Sequence, residues 1–209
     1  MVTGDQETRE RVLNTAARLF AERGVERVTV RDICQQAHAN VAAVNYHFGG
    51  KDGLYTAVME LAIGVMRSTT EAARDAGAGQ SAEGRLRAYI ATFVDRVTGS
   101  GRDTWIHHLL MRELADPTPA LTLVVEQVLK PRMEYLCGTI AEIAGRLPDD
   151  AVVVRCALSV QSQFHALLWN QALPRIATGG DTTPASVAAI AEHITAFSLA
   201  GVRGFAQSR

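Results

Sequence analysis

Apolar residues recur at helical spacing along almost the whole chain. Val12, Leu13, Ala16, Ala17, Leu19 and Phe20 mark the inner face of a first helix, with Thr8 as its N-cap and Gly24 as the residue that ends it. A short second helix capped by Thr29 turns Ile33, Cys34 and Ala37 inward, and a third capped by Asn40 carries Val41, Val44 and Phe48. Gly49 and Gly50 end the third helix. A fourth spans about 51–76, and the stretch Gly77 to Ser81 reads as a loop whose Ser81 caps the next helix. Beyond it the pattern predicts helices at about 82–98, 103–114, 119–145, 149–172 and 184–206. Pro119 suits a first helical position, whereas Pro131 lies inside the 119–145 pattern and predicts a kink or a split near Lys130. The segment 172–184, with Pro174, Gly179, Gly180 and Pro184, reads as a loop. The β-branched runs at 28–30 and 152–154 are too short and isolated to build a sheet, so the expected fold is all-α.

Composition narrows the function classes. With 47% hydrophobic and 21% charged residues, the 209-residue chain has the make-up of an ordinary globular protein. Its formal charge of -1 offers no basic excess, so any contact with nucleic acid must rest on local residues. Cys34, Cys137 and Cys156 have no zinc-finger or CxxC spacing and read as small buried hydrophobes of a reducing compartment. The polar N-terminus, and the lack of an apolar run approaching roughly 18 residues, predict no membrane span and a cytoplasmic location. No GxSxG, P-loop, GxGxxG or HExxH motif occurs, and the adjacent His107 and His108 point to different faces of a helix. Neither catalysis, a metal site nor a cofactor is therefore expected.

The sharpest local signal is the pair of short helices at 30–37 and 41–48, separated only by His38, Ala39 and Asn40. That arrangement is a helix-turn-helix, whose second helix can enter a major groove roughly 12 Å wide. Its outward positions, Asn40, Ala42, Ala43, Asn45, Tyr46 and His47, are small or hydrogen-bonding. Asn can bond an adenine edge and Ala can meet a thymine methyl. The helix starts at Thr29 and Lys51 present N–H groups suited to phosphate oxygens, with Arg31 beside the first. Over residues 1–55, seven Lys and Arg face seven Asp and Glu, so DNA binding would depend on placement. The alternative is a three-helix bundle with a tight turn and no DNA contact, which leaves the polar cluster around Tyr46 unexplained.

Leu19-Phe20-Ala21-Glu22-Arg23-Gly24, Thr29-Val30-Arg31-Asp32-Ile33 and the run Asn45-Tyr46-His47-Phe48-Gly49-Gly50-Lys51-Asp52-Gly53-Leu54 together resemble the DNA-binding domain of the TetR family of transcriptional regulators. The resemblance implies that Thr29, Tyr46, His47 and Lys51 hold phosphates while Asn40, Ala42, Ala43 and Asn45 face bases. Two departures stand out. His38 occupies the turn position where the family usually has glycine, a place that calls for positive φ. Gly50 replaces the usual Ser or Thr cap ahead of Lys51.

In the C-terminal part, Arg112-Glu113-Leu114 with Pro117, then Glu126-Gln127-Val128 and Pro131, resembles the C-terminal domain of the CecR-like TetR subgroup. Trp105, His108, Arg112 and Glu113, with His165 and Trp169 at i, i+4, mix polar groups with aromatic ones, as a small-ligand pocket requires. The other reading is an Arg112–Glu113 ion pair with histidines satisfied in the core or by solvent. Val153, Ala157, Val160, Phe164 and Leu168 form one apolar stripe, and Val187, Ile190, Ile194, Phe197, Gly201 and Phe205 another. Two such stripes per chain either build a four-helix dimer seam across a two-fold axis or pack within one subunit. The resulting expectation is a helix-turn-helix domain at 1–55 and a ligand-binding and dimerisation domain at 56–209. The whole would be a homodimeric repressor of a pseudo-palindromic double-stranded operator, released by an unidentified small-molecule effector. An activator or a ligand-independent regulator is the alternative, and a helical adaptor or an enzyme the remotest.

Overall fold

The computed structural model describes residues 4–98, 104–169 and 183–207, and every regular element among them is helical. In chain order these are α1 (Gly4–Arg23), α2 (Val30–Ala37), α3 (Val41–Phe48), α4 (Lys51–Ala76), α5 (Ala82–Thr98), α6 (Thr104–Ala115), α7 (Ala120–Val124), a π-helical turn (Val125–Leu129), α8 (Lys130–Ala144), α9 (Ala151–Trp169) and α10 (Pro184–Gln207). The loop expected over 172–184 falls almost wholly outside the described residues. The chain divides into two compact units, Met1–Val65 with Gly101–Val125 and Met66–Ser100 with Glu126–Arg209.

In the first unit α1 packs on α2, α3 and α6. Val12, Leu19, Phe20, Ile33, Val44 and Leu54 are fully buried, each large side chain contributing on the order of 1.5–3 kcal/mol of transfer free energy. Local chemistry sets the short helices. Thr29 Oγ1 accepts from Asp32 N–H at 3.1 Å while Asp32 accepts from Thr29 N–H at 2.9 Å, a reciprocal capping box. Bonds from the Thr29 hydroxyl and N–H hold the Asp32 carboxyl below its usual range. The box is thus complete above the ordinary carboxylate pKa and is lost as pH falls through that lowered value. Asn40 Oδ1 caps α3 by accepting from Ala43 N–H at 2.7 Å. Between them His38 sits at φ 49, ψ 47, the left-handed conformation expected of the turn. The first helix departs from its reading: it starts at Gly4, and Thr8 is inside it, its hydroxyl donating to the Gly4 carbonyl at 2.8 Å. Asp5 and Glu7 in the first turn favour that earlier start by opposing the helix dipole.

In the second unit α5 is packed by α8, α9 and α10. Tyr89, Phe93 and Phe164 form an aromatic centre, with Phe93 and Phe164 stacked 5.5 Å apart and the Tyr89 hydroxyl donating to Gln161 Oε1 at 2.7 Å. Cys137 and Cys156 are buried in this core and Cys34 in that of the first unit; desolvation pushes all three thiols up. The expected 119–145 helix is divided. Pro131 has no N–H to give the Gln127 carbonyl, and the chain meets that gap with the wider π turn directly before α8. The reading of the apolar runs needs one correction. Residues Ala185–Ala206 of α10 form a helix long and apolar enough to cross a membrane, with mean hydropathy 1.4. Its charged residues are engaged: Arg203 donates to Glu83 and Glu192 accepts from Arg87, and Ile194, Leu199 and Val202 belong to the core.

A non-glycine residue held left-handed is strained by about 1 kcal/mol. His38→Gly should therefore raise the free energy of unfolding by up to about 1 kcal/mol in urea titrations, whereas Ala at this position should not.

Candidate nucleic-acid interface

The outward face of α3 is built by its own shortness. Eight residues make two turns, and Val44, fully buried, is the residue that anchors them. Ala42, Asn45 and Tyr46 are exposed, Tyr46 to 78%, and Ala43 is half-buried. Asn40 spends its carbonyl oxygen on the cap, which leaves its amide N–H groups as donors. Val41, which the apolar pattern groups with Val44 and Phe48, is 44% exposed, because the first residue of a two-turn helix overhangs the core. Its methyls join those of Ala42 as apolar contacts of the kind a thymine methyl accepts. Its place directly after the cap was the available signal.

Backbone donors flank this face. In the first turn of α2 the N–H groups of Val30 and Arg31 are the ones that the capping box does not use, and Arg31 itself is exposed. In α4 the Leu54 N–H bonds the Gly50 carbonyl, so Lys51, Asp52 and Gly53 precede the first intrahelical bond. Lys51 is half-buried beside them. Helix starts of this kind suit oxyanions.

Two residues assigned to phosphate have protein partners. The Thr29 hydroxyl donates to Asp32 Oδ2 at 2.6 Å. The His47 side chain is 7% exposed, and its Nε2 lies 3.3 Å from Asp5 Oδ1, tying the start of α1 to α3. The register between α3 and α4 has its own constraint: a Cβ on Gly53 would lie 1.8 Å from the Phe48 carbonyl oxygen, so only glycine fits.

Arg112 and Glu113 on α6 serve the same unit. Arg112 Nε and Nη2 donate to the Ala21 and Glu22 carbonyls at 2.9 and 2.6 Å, capping the end of α1. Glu113 is 1% exposed and accepts from the Tyr55 hydroxyl at 2.5 Å and from the Thr118 N–H and hydroxyl at 2.7 Å each. Burial, then the Glu113 bond, pushes the Tyr55 hydroxyl up. The two side chains therefore turn to different partners instead of pairing. Trp105 is half-buried and His108 exposed, while His107, not singled out as a pocket residue, is the buried imidazole of α6. The His165 and Trp169 side chains lie outside the described residues.

The apolar stripes divide by burial. Val153, Ala157, Val160 and Phe164 fill the core of the second unit, Ile194 is buried with them, and Ile190 packs against them. Phe197 is 66% and Phe205 55% exposed, and Gly201 is exposed between them. With Val152, Ser159 and Gln163 of α9 these three line an apolar groove of about 440 Å³. Heptad spacing merged two faces, since both recur at three and four residues.

Residues 12–58 match the family model described as bacterial regulatory proteins, tetR family, and residues 82–202 match that of the C-terminal domain of the HTH-type transcriptional dual regulator CecR. A protein named HTH-type transcriptional repressor Rv3405c, from Mycobacterium tuberculosis, is 42% identical over 60 residues, 29% of this chain and 32% of its own. The matched part thus spans about a third of that relative's length. The dual regulator CecR of Shigella flexneri is 27% identical over 162 residues, covering 74% of this chain and 72% of its own. Among solved structures, the TetR-family regulator SCO4454 of Streptomyces coelicolor superposes with a TM-score of 0.63 at 21% identity, covering 97% of this chain and 89% of its own. The ketosteroid transcriptional regulator KstR2 of Mycobacterium tuberculosis does so with 0.66 at 17%, covering 92% and 93%. At such identities the structural likeness speaks for the fold.

Gly53→Ala should displace α3 against α4. The expected outcome is a loss of about 1–3 kcal/mol in stability by denaturant titration, with a larger loss of affinity for duplex than the exposed control Asp52→Ala produces.

Proposed function

The chain belongs to the TetR family of bacterial regulatory proteins and is a DNA-binding transcriptional regulator, and on that premise we propose that it acts as a homodimeric repressor released by a small-molecule effector. The observation that carries the reading is the exposed face of α3, where Ala42, Asn45 and Tyr46 stand between the open N–H groups of two helix starts. In the proposed division of labour, residues 1–55 read DNA and residues 56–209 receive the effector and the partner chain. Asn45, Asn40, Ala42 and Ala43 face bases, joined by Val41, while Lys51, Tyr46, Arg31 and the backbone donors hold phosphates. For Thr29 and His47 we assign positioning, since their polar atoms already have partners.

The partner chain docks on the groove of Phe197, Gly201 and Phe205, which would otherwise leave two phenylalanines in water. Two-fold symmetry then sets the heads about 34–36 Å apart, one helical turn of DNA, and makes the operator pseudo-palindromic. The site of action is the cytoplasm, where the operator lies. An effector acts only through its differential affinity for two head spacings; a coupling of about 1–3 kcal/mol changes DNA affinity roughly 5- to 150-fold. A relative named a dual regulator favours, as second reading, a protein that also activates.

Lys51→Ala should weaken binding to every duplex and lower the slope of log affinity against log salt by about 1, whereas Asn45→Ala should cost about 1–3 kcal/mol on the operator and relax preference at one position. An unchanged salt slope in Lys51→Ala refutes the phosphate contact.

Phe197→Glu combined with Phe205→Glu should convert the dimer to monomer in light scattering, because charge would be desolvated in the seam. A clean dimer in that variant moves the interface elsewhere.

A further inference from the structure

In the second unit a buried cation has no carboxylate partner among the described residues. Arg132 on α8 is 8% exposed, and its guanidinium carbon stands 4.7 Å from the centroid of the Phe93 ring. Its Nε donates to Thr70 Oγ1 and its Nη2 to the Met66 carbonyl, both at 3.2 Å. Among the described residues no Asp or Glu lies within ion-pair distance of it; its partners are a hydroxyl, a carbonyl and an aromatic ring, all neutral. Burial lowers its pKa, against a smaller opposing effect of the Tyr89 hydroxyl. A cation used purely as a brace could be replaced by an apolar side chain at little cost, so a buried one with neutral partners invites a search for an anion.

The space for an anion lies on the other side of Thr70. That residue also lines a cleft of about 370 Å³ between α4 and the π turn, formed with Arg67, Glu71, Arg74, Gln127, Val128 and Pro131. The volume is that of a small-ligand site. Two arginines and one carboxylate face it, and Arg132 adds a third positive charge one side chain behind. The lone acid, Glu71, is only loosely held by Arg67, at 3.9 Å with both side chains more than half exposed. Arg74 is already oriented: its Nη2 donates to the Pro131 carbonyl at 3.0 Å and its guanidinium stands 5.2 Å from the centroid of the Tyr135 ring. Low-dielectric walls concentrate the field of such a group of charges in the cleft.

We propose that this cleft binds a small molecule through a carboxylate or phosphate group, with Arg67 and Arg74 at its rim and, at its floor, Thr70, whose hydroxyl accepts from buried Arg132 and donates to the Met66 carbonyl. Arg67 and Arg74 supply charge-assisted hydrogen bonds, and Arg132 supplies field through Thr70. An anion there would touch the π turn at Gln127 and Val128, the one place where the 120–144 stretch departs from α-helical geometry, and the start of α8 at Pro131. That such an anion releases DNA rests on the effector reading above; the binding itself does not.

The test uses the full-length protein with pyrophosphate and succinate as probes, at ionic strength matched with chloride. At about ten times its dissociation constant a bound anion should raise Tm by about 3–6 °C. Whichever probe gives the shift says whether the site prefers phosphate or carboxylate. Excluded anions also stabilise proteins generally, so the decisive comparison is with Arg67→Glu, an exposed change that leaves the packing intact, and with Arg67→Ala combined with Arg74→Ala. The shift over chloride should disappear in both. No shift for either probe in the unaltered protein, or an undiminished shift in both variants, overturns the site. Operator anisotropy in the same titration is read separately: binding without DNA release would leave the site standing and sink the effector reading.

Discussion

A carboxylate taken out of water must be given donors, and in the first unit that requirement fixes where three elements meet. Glu113 is almost completely buried, and its two oxygens are met by the hydroxyl of Tyr55 on α4 and by the N–H and hydroxyl of Thr118 just before α7. Losing any of these would leave charge in an apolar surrounding at a cost of about 1–3 kcal/mol or more. The neighbouring Arg112 takes the opposite direction along α6 and closes the last carbonyls of α1. One dipeptide thereby ties the helix that backs the DNA-reading pair to the helix that follows it. The arrangement of α3, on which any reading of bases depends, is built on this frame.

Within that frame the reading head carries no net positive charge, with seven cations against seven anions over residues 1–55. Placement replaces excess. Two of the seven acids have partners within the domain, Asp32 in the capping box and Asp5 against His47, while backbone N–H groups and Lys51 stay at the helix starts. The register of α3 against α4 is fixed sterically, since a Cβ at Gly53 would overlap the Phe48 carbonyl oxygen.

The second unit obeys a different constraint. Its core is aromatic and aliphatic, so the exceptions define it: the Tyr89 hydroxyl paired with Gln161, and Arg132 paired with neutral groups against Phe93. The former is satisfied. The latter is a charge whose partners among the described residues are dipoles and a ring, and it stands beside a cleft lined by further arginines. The exposed phenylalanines on α10 are the other exception, apolar surface that the described residues leave largely uncovered.

The helix boundaries around the turn were legible from sequence because they are local, whereas the start of α1 was not. The Thr29 box closes over three residues, the Asn40 cap over three, and Ser81 Oγ accepts from the Gly84 N–H in the same way; a left-handed turn at His38 and a break before Pro131 likewise depend on atoms a few bonds away. The helical class followed from the apolar periodicity, the helix-turn-helix from the spacing of two short helices, and the family resemblance from the residues of 19–24, 29–33 and 45–54. Only the tertiary structure decided which way the ambiguous residues turned. Val41 lies outside and His47 inside because α1 covers one edge of α3 and not the other. Arg112 finds carbonyls ninety residues away, and Val153, Ala157 and Val160 are core while Phe197 is surface although all share one spacing. A cap needs its own neighbours; burial needs a partner that periodicity cannot name.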